Sequence, residues 1–184
     1  MQKSIVHLVN ELTELLLQFP LLVTGFERKQ PQALAALQSW IASAEQLLSS
    51  YGLVASAELA GLRSKLTRPL HCDEHRGQLR KQQLYAAVEI LYPLQQCLQQ
   101  TLTPYQQKLQ QSSELIRHLL SVIRQSGALH YDAATGFDSF VQQLWLLIGQ
   151  HDQLKAGAVQ LRSWLSSQDI RLLLAQEVNP ADFP

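Results

Sequence analysis

The chain has 184 residues, 46% of them hydrophobic and 16% charged, with 15 Lys and Arg balanced by 15 Asp and Glu. This length suits one domain that buries roughly 70% of its unfolded surface, and the apolar content excludes an intrinsically disordered chain. A net charge of zero excludes a global field drawing the protein to nucleic acid or anionic lipid, so any such attraction has to be local.

Apolar spacing then gives the elements in chain order. Ile5, Leu8, Val9, Leu12, Leu15, Leu16 and Phe19 share one helical face, and Pro20 is expected to stop that helix. A second helix is expected from about Pro31 through Leu34, Leu37, Ile41, Ala44 and Leu48 to Gly52, and a short third one carries Leu59, Leu62 and Leu66 before Pro69. The fourth starts near Asp73 or Glu74 and shows Leu84, Val88, Leu91, Leu94, Leu98 and Leu102, with a kink expected at Pro93 because the stripe continues past it. A fifth is expected to start at Thr103 as N-cap with Pro104 behind it, to carry Leu109, Ile116, Leu119, Leu120 and Ile123, and to end at Gly127. After a loop with His130, Tyr131 and Asp132, a sixth holds Phe137, Phe140, Val141, Leu144, Leu147 and Ile148. The last runs from Leu154 to Leu174 with a break near Ser167.

Leu and Gln make up a third of the chain, at 36 and 25 residues. Both keep most of their rotamer freedom in a helix, Leu supplying the buried stripe and Gln a neutral outer face. The expected fold is therefore all-α: a single domain over residues 1–184, an up-and-down bundle of about six or seven helices with a non-helical tail at 179–184. Two echoes occur, Thr24-Gly25-Phe26 with Thr135-Gly136-Phe137 and Leu37-Gln38-Ser39-Trp40 with Leu161-Arg162-Ser163-Trp164. Their offsets differ, so a simple tandem duplication does not produce both.

Glu11 and Glu14 interrupt what would have to be the apolar core of a signal peptide, and no segment approaches the eighteen or so uncharged apolar residues of a membrane span. The expectation is a soluble cytoplasmic protein that does not engage a membrane. In that compartment Cys72 and Cys97 are free thiols by default.

Three groups of residues could carry chemistry. Arg63, Lys65, Arg68, Arg76, Arg80 and Lys81 concentrate six cations in a short segment, and Arg76 and Arg80, four apart on a helix, share a face that could meet a phosphate or carboxylate. Within that segment His71, Cys72 and His75 form the densest set of potential metal ligands, although their spacing matches no zinc signature. Leu144 to Ile148 is apolar all round, so it is either central or, through Trp145 and Leu146, turned to a partner. His130-Tyr131-Asp132 and His151-Asp152 are adjacent-residue sets that point apart on a helix, and no nucleophile elbow, Gly-rich phosphate loop or cofactor motif accompanies them.

No cofactor is expected. The expected function is that of a non-catalytic protein-binding adaptor, regulator or chaperone, with another protein as partner. Anion or nucleic-acid binding through the segment Arg63 to Lys81 ranks second, and an enzyme or metal-binding protein with an unrecognised site third. A bundle completed by homodimerisation is the runner-up architecture, since Gln faces cost less to desolvate than charged ones.

Overall fold

The structure, a computed structural model, describes residues 3–67, 76–132, 134 and 136–183. Among the described residues it is all-α, with seven α-helices, one 3-10 turn and no strand. The helices are α1 (Ile5–Glu27), α2 (Ala33–Ser50), α3 (Ala55–Thr67), α4 (Arg76–Ser126), α5 (Phe137–Gln150), α6 (Lys155–Trp164) and α7 (Ser167–Glu177). Helix packing is of the bundle type, and the chain divides into two compact units, one of His7–Pro104 and one of Met1–Val6 with Tyr105–Pro184.

Two expected helix ends do not occur. α1 passes through Pro20, and α4 runs 51 residues through both Pro93 and Pro104. A proline inside a helix deletes one backbone bond and crowds the turn before it, a loss that neighbouring apolar positions can outweigh. Thr103, expected to cap a new helix, instead donates its hydroxyl to the Gln99 carbonyl at 2.8 Å, one turn back in the same helix. Because α1 continues to Glu27, its apolar stretch is longer than the sequence suggests. By length and composition it is the one helix among the described residues that could cross a membrane, and 28% of that stretch is buried within the protein.

In the unit His7–Pro104, α2 and α3 pack closely as a helical hairpin. α2 buries Leu37, Trp40, Ile41, Ala44 and Leu48, the face its three- and four-residue spacing implied. Trp40 ties α2 to α1: its indole N–H donates to the Leu15 carbonyl at 2.9 Å, and its ring lies 5.2 Å from that of Phe19. α4 departs from expectation. Its buried face is Ala87, Ile90, Leu91, Leu94, Cys97 and Leu98, while Val88 is 54% exposed and Leu84 half-buried. The core face is rotated away from these two, which are left to line a groove.

In the other unit α5, α6 and α7 pack on one another. Gly157 of α6 sits so close to α4 that a Cβ there would lie 2.9 Å from a methyl of Leu119. Ser166 caps α7 by accepting from the Asp169 N–H at 3.1 Å. The Asp169 carboxylate is fully buried and accepts from the Ser4 hydroxyl and, at 2.8 Å, from the Ile5 N–H, the first backbone donor of α1. One side chain thus caps a helix that starts 164 residues earlier.

The tail is not a loose end. Asn179 caps the 3-10 turn Pro180–Asp182, and Phe183, 2% exposed, packs edge-on against Phe140 at 5.3 Å. The Phe183 carbonyl accepts from the Tyr131 N–H at 2.8 Å, and Arg124 pairs with Asp182 at 3.1 Å.

Removing the carboxylate at 169 leaves the Ile5 N–H without its buried acceptor. Asp169→Ala is expected to cost about 2–4 kcal/mol and to lower the melting temperature by roughly 5–15 °C, read by circular dichroism or calorimetry.

Candidate functional site

A large groove lies within the unit His7–Pro104, at the turn between α1 and α2 and beside the start of α4. Its volume is about 530 Å³, inside the roughly 300–1,000 Å³ range of ligand sites. Phe26, Pro31, Ala33, Leu34, Leu84 and Val88 give it an apolar floor. Lys29, Arg80 and Lys81 stand on its exposed rim, and no carboxylate is among the residues that line it. Gln32 provides no side-chain cap for α2, so the positive end of that helix adds to the same side.

The α1–α2 turn explains how Lys29 comes to be there. The Gln30 N–H donates to the Gly25 carbonyl at 2.9 Å and the Lys29 N–H to the Phe26 carbonyl at 3.0 Å, the paired bonds of a Schellman motif. In that motif the residue one past the cap adopts the left-handed conformation, normally a glycine. Here it is Lys29, at φ 51°, the one non-glycine residue with positive φ among those described. A side chain in that conformation costs about 1–2 kcal/mol, so the backbone alone gives no reason for a lysine.

From the groove an exposed stripe continues along α4. Lys81, Tyr85, Val88 and Tyr92 follow at steps of four, three and four residues, hence on one face. Tyr85 is 62% and Tyr92 66% exposed, and Lys81 Nζ lies 5.9 Å from the Tyr85 ring centroid. The stripe covers about 16 Å at 1.5 Å per residue.

The six cations of the basic segment are not equivalent. Arg80 and Lys81 belong to the groove. Arg63 of α3 is committed to Glu45 of α2 at 3.1 Å, and Lys65 is exposed on α3. Arg68 lies outside the described residues, as does the side chain of Arg76. The metal candidates His71, Cys72 and His75 are likewise outside them, and among the described residues no three His, Cys, Asp or Glu side chains gather as a metal site.

Trp145 and Leu146 lie in the other unit. Leu144 and Ile148 are buried while Leu146 is 59% exposed, so the run is central on one side and open on the other. The Arg162 guanidinium stacks 5.2 Å from the Trp145 ring centroid, beside a shallow depression lined by Gln142, Leu146, Ser167 and Arg171. His151 and Asp132 each bond local backbone: the His151 Nδ1 accepts from the Gln153 N–H at 3.3 Å, and the Asp132 carboxylate from the Ala134 N–H at 2.9 Å.

Phe26, Lys29 and Leu34 are the site residues that sequence reading misses, since they reach the groove from a turn some fifty residues before Arg80. The available signal was a lysine in place of glycine two residues after a helix end. Comparison of the chain with protein-family models, with curated proteins and with solved structures gave no match.

Cys97 of α4 is buried, its sulfur 3.9 Å from the Ala55 carbonyl of α3. Burial foremost, then the charge of Glu58 and a hydrogen bond to it, pushes the thiol up to about 12. At neutral pH it is a packed apolar group and neither a nucleophile nor a thiolate ligand. Two outcomes follow from these geometries. Cys97 should remain unalkylated by iodoacetamide at pH 8 in the native protein and react on unfolding, as read by mass spectrometry of its peptide. Because its folded pKa lies above the unfolded value near 9, its contribution to stability is intact below pH 9 and is lost as pH rises towards 12. Separately, Lys29→Gly should raise stability by roughly 0.5–1 kcal/mol, the relief of left-handed strain less the backbone entropy of glycine, measured by urea unfolding.

Proposed function

We propose that this protein is a non-catalytic protein-binding adaptor or regulator that receives a helix of its partner in the groove of the unit His7–Pro104. The observation that carries this reading is the continuity of the groove with the exposed stripe Tyr85, Val88 and Tyr92. A small ligand would need the cavity alone, whereas a row of aromatic and apolar side chains about two turns long, Tyr85 to Tyr92, matches the anchors of a docked helix. Exposed tyrosines suit that role because they bring a large contact area with few rotatable bonds.

Lys29, Arg80 and Lys81 on the rim support an anionic group as part of what is bound. This joins the protein-binding and anion-binding readings of the sequence at one place. Duplex nucleic acid is less well served, since Arg63 is engaged by Glu45 and cannot extend the cationic surface without breaking that pair.

Both tyrosines are exposed, so replacing them should alter stability by no more than about 0.5 kcal/mol. The double variant Tyr85→Ser, Tyr92→Ser should keep its helical circular dichroism and lose a stoichiometric partner that the unaltered protein retains on purification at native expression. A partner retained equally by both, or none retained by either, would overturn the proposal.

A further inference from the structure

We infer that the groove selects an amphipathic partner helix whose acidic residues cluster at one end of its apolar face, there meeting Lys29, Arg80 and Lys81; this rests on the protein-binding reading above. The cations are not spread along the docking stripe. Arg80 and Lys81 stand at its N-terminal end, Lys29 lines the same cavity from the α1–α2 turn, and beyond them come Tyr85, Val88 and Tyr92. A helix lying along the stripe with apolar side chains at i, i+3 or i+4, and i+7 would place one end among three positive charges and the other beside Tyr92.

Charge complementarity names the chemistry of that end. With no carboxylate lining the groove, a basic or neutral helix leaves three cations partly desolvated and unpaired, while Asp or Glu pairs them. Lys29 is the independent sign. It occupies the left-handed position of a Schellman turn, where glycine fits without strain. A strained residue whose side chain borders a cavity points to a function for that side chain and not for the turn.

The test is selection of displayed helical peptides, about four turns long and randomised on one face, against the full-length protein. The expected consensus has apolar residues at helical spacing with Asp or Glu gathered at one end. For a peptide of that consensus, fluorescence anisotropy should show Arg80→Gln with Lys81→Gln weakening binding about tenfold or more, and Lys29→Gly weakening it about threefold, even though the glycine variant is the more stable protein. Rising salt should weaken binding to the unaltered protein more steeply than to the Gln variant. Enrichment of neutral or basic helices, or acidic helices indifferent to all three substitutions, overturns the charge assignment and leaves the helix-binding reading standing. Selection of no helix overturns both. So does a concentration-dependent dimer dissolved by Tyr85→Ser with Tyr92→Ser, or binding of that face to anionic phospholipid vesicles in place of peptide.

Discussion

The long helices of this chain each have to hide an apolar stripe, most of it leucine, and the surface follows from how completely each stripe is covered. Burying a leucine side chain is worth about 1.5–3 kcal/mol, whereas the Gln residues opposite gain nothing from burial. α2 meets the constraint along most of its length, with Leu37, Ile41, Ala44 and Leu48 entirely out of solvent and only Leu34, near its start, half-buried. α4 does not. Its core face turns towards Ala87, Ile90, Leu94 and Leu98, and the apolar residues on its flank, Leu84, Tyr85, Val88 and Tyr92, are incompletely covered. The groove arises where this surplus meets the apolar side of the α1–α2 turn, so the packing and the groove share one origin.

Much of the fold was legible because leucine spacing survives any local detail. α2, α3 and α5 fall where their stripes put them, and the break after Trp164 is found with Ser166 as its cap. Prolines were the harder signal. Apolar positions that continue on both sides mark Pro93 as internal, yet the same argument applies to Pro20, followed by Leu21, Leu22 and Val23, and to Pro104, followed by Leu109. Proline carries a local penalty, and whether it ends a helix depends on contacts outside its own window. Thr103 shows the ambiguity in one atom: its hydroxyl could cap a helix start or bond back to the preceding turn, and it does the second.

The site was half legible. Arg80 and Lys81 stood out as cations on a helix, and composition alone identified the segment that holds them. What they face could not be read, because Phe26, Lys29 and Leu34 come from a different helix pair. Clustering in sequence does not imply a shared face: Arg63, in the same basic segment, pairs with Glu45 on a neighbouring helix. Trp145 and Leu146, adjacent in one apolar run, part company in the structure, one stacked under Arg162 and the other open to solvent.

The buried carboxylate of Asp169 also fixes an order of events during synthesis. At about 5–20 residues per second, the 164 residues between Ile5 and its acceptor take on the order of ten seconds to emerge. Throughout that interval the Ile5 N–H lacks the acceptor that the folded protein gives it. The unit that holds both ends of the chain therefore closes only after α7 has emerged, by joining Ser4 and Ile5 to a helix made some 164 residues later. A ribosome that stalls before α7 leaves that seam open.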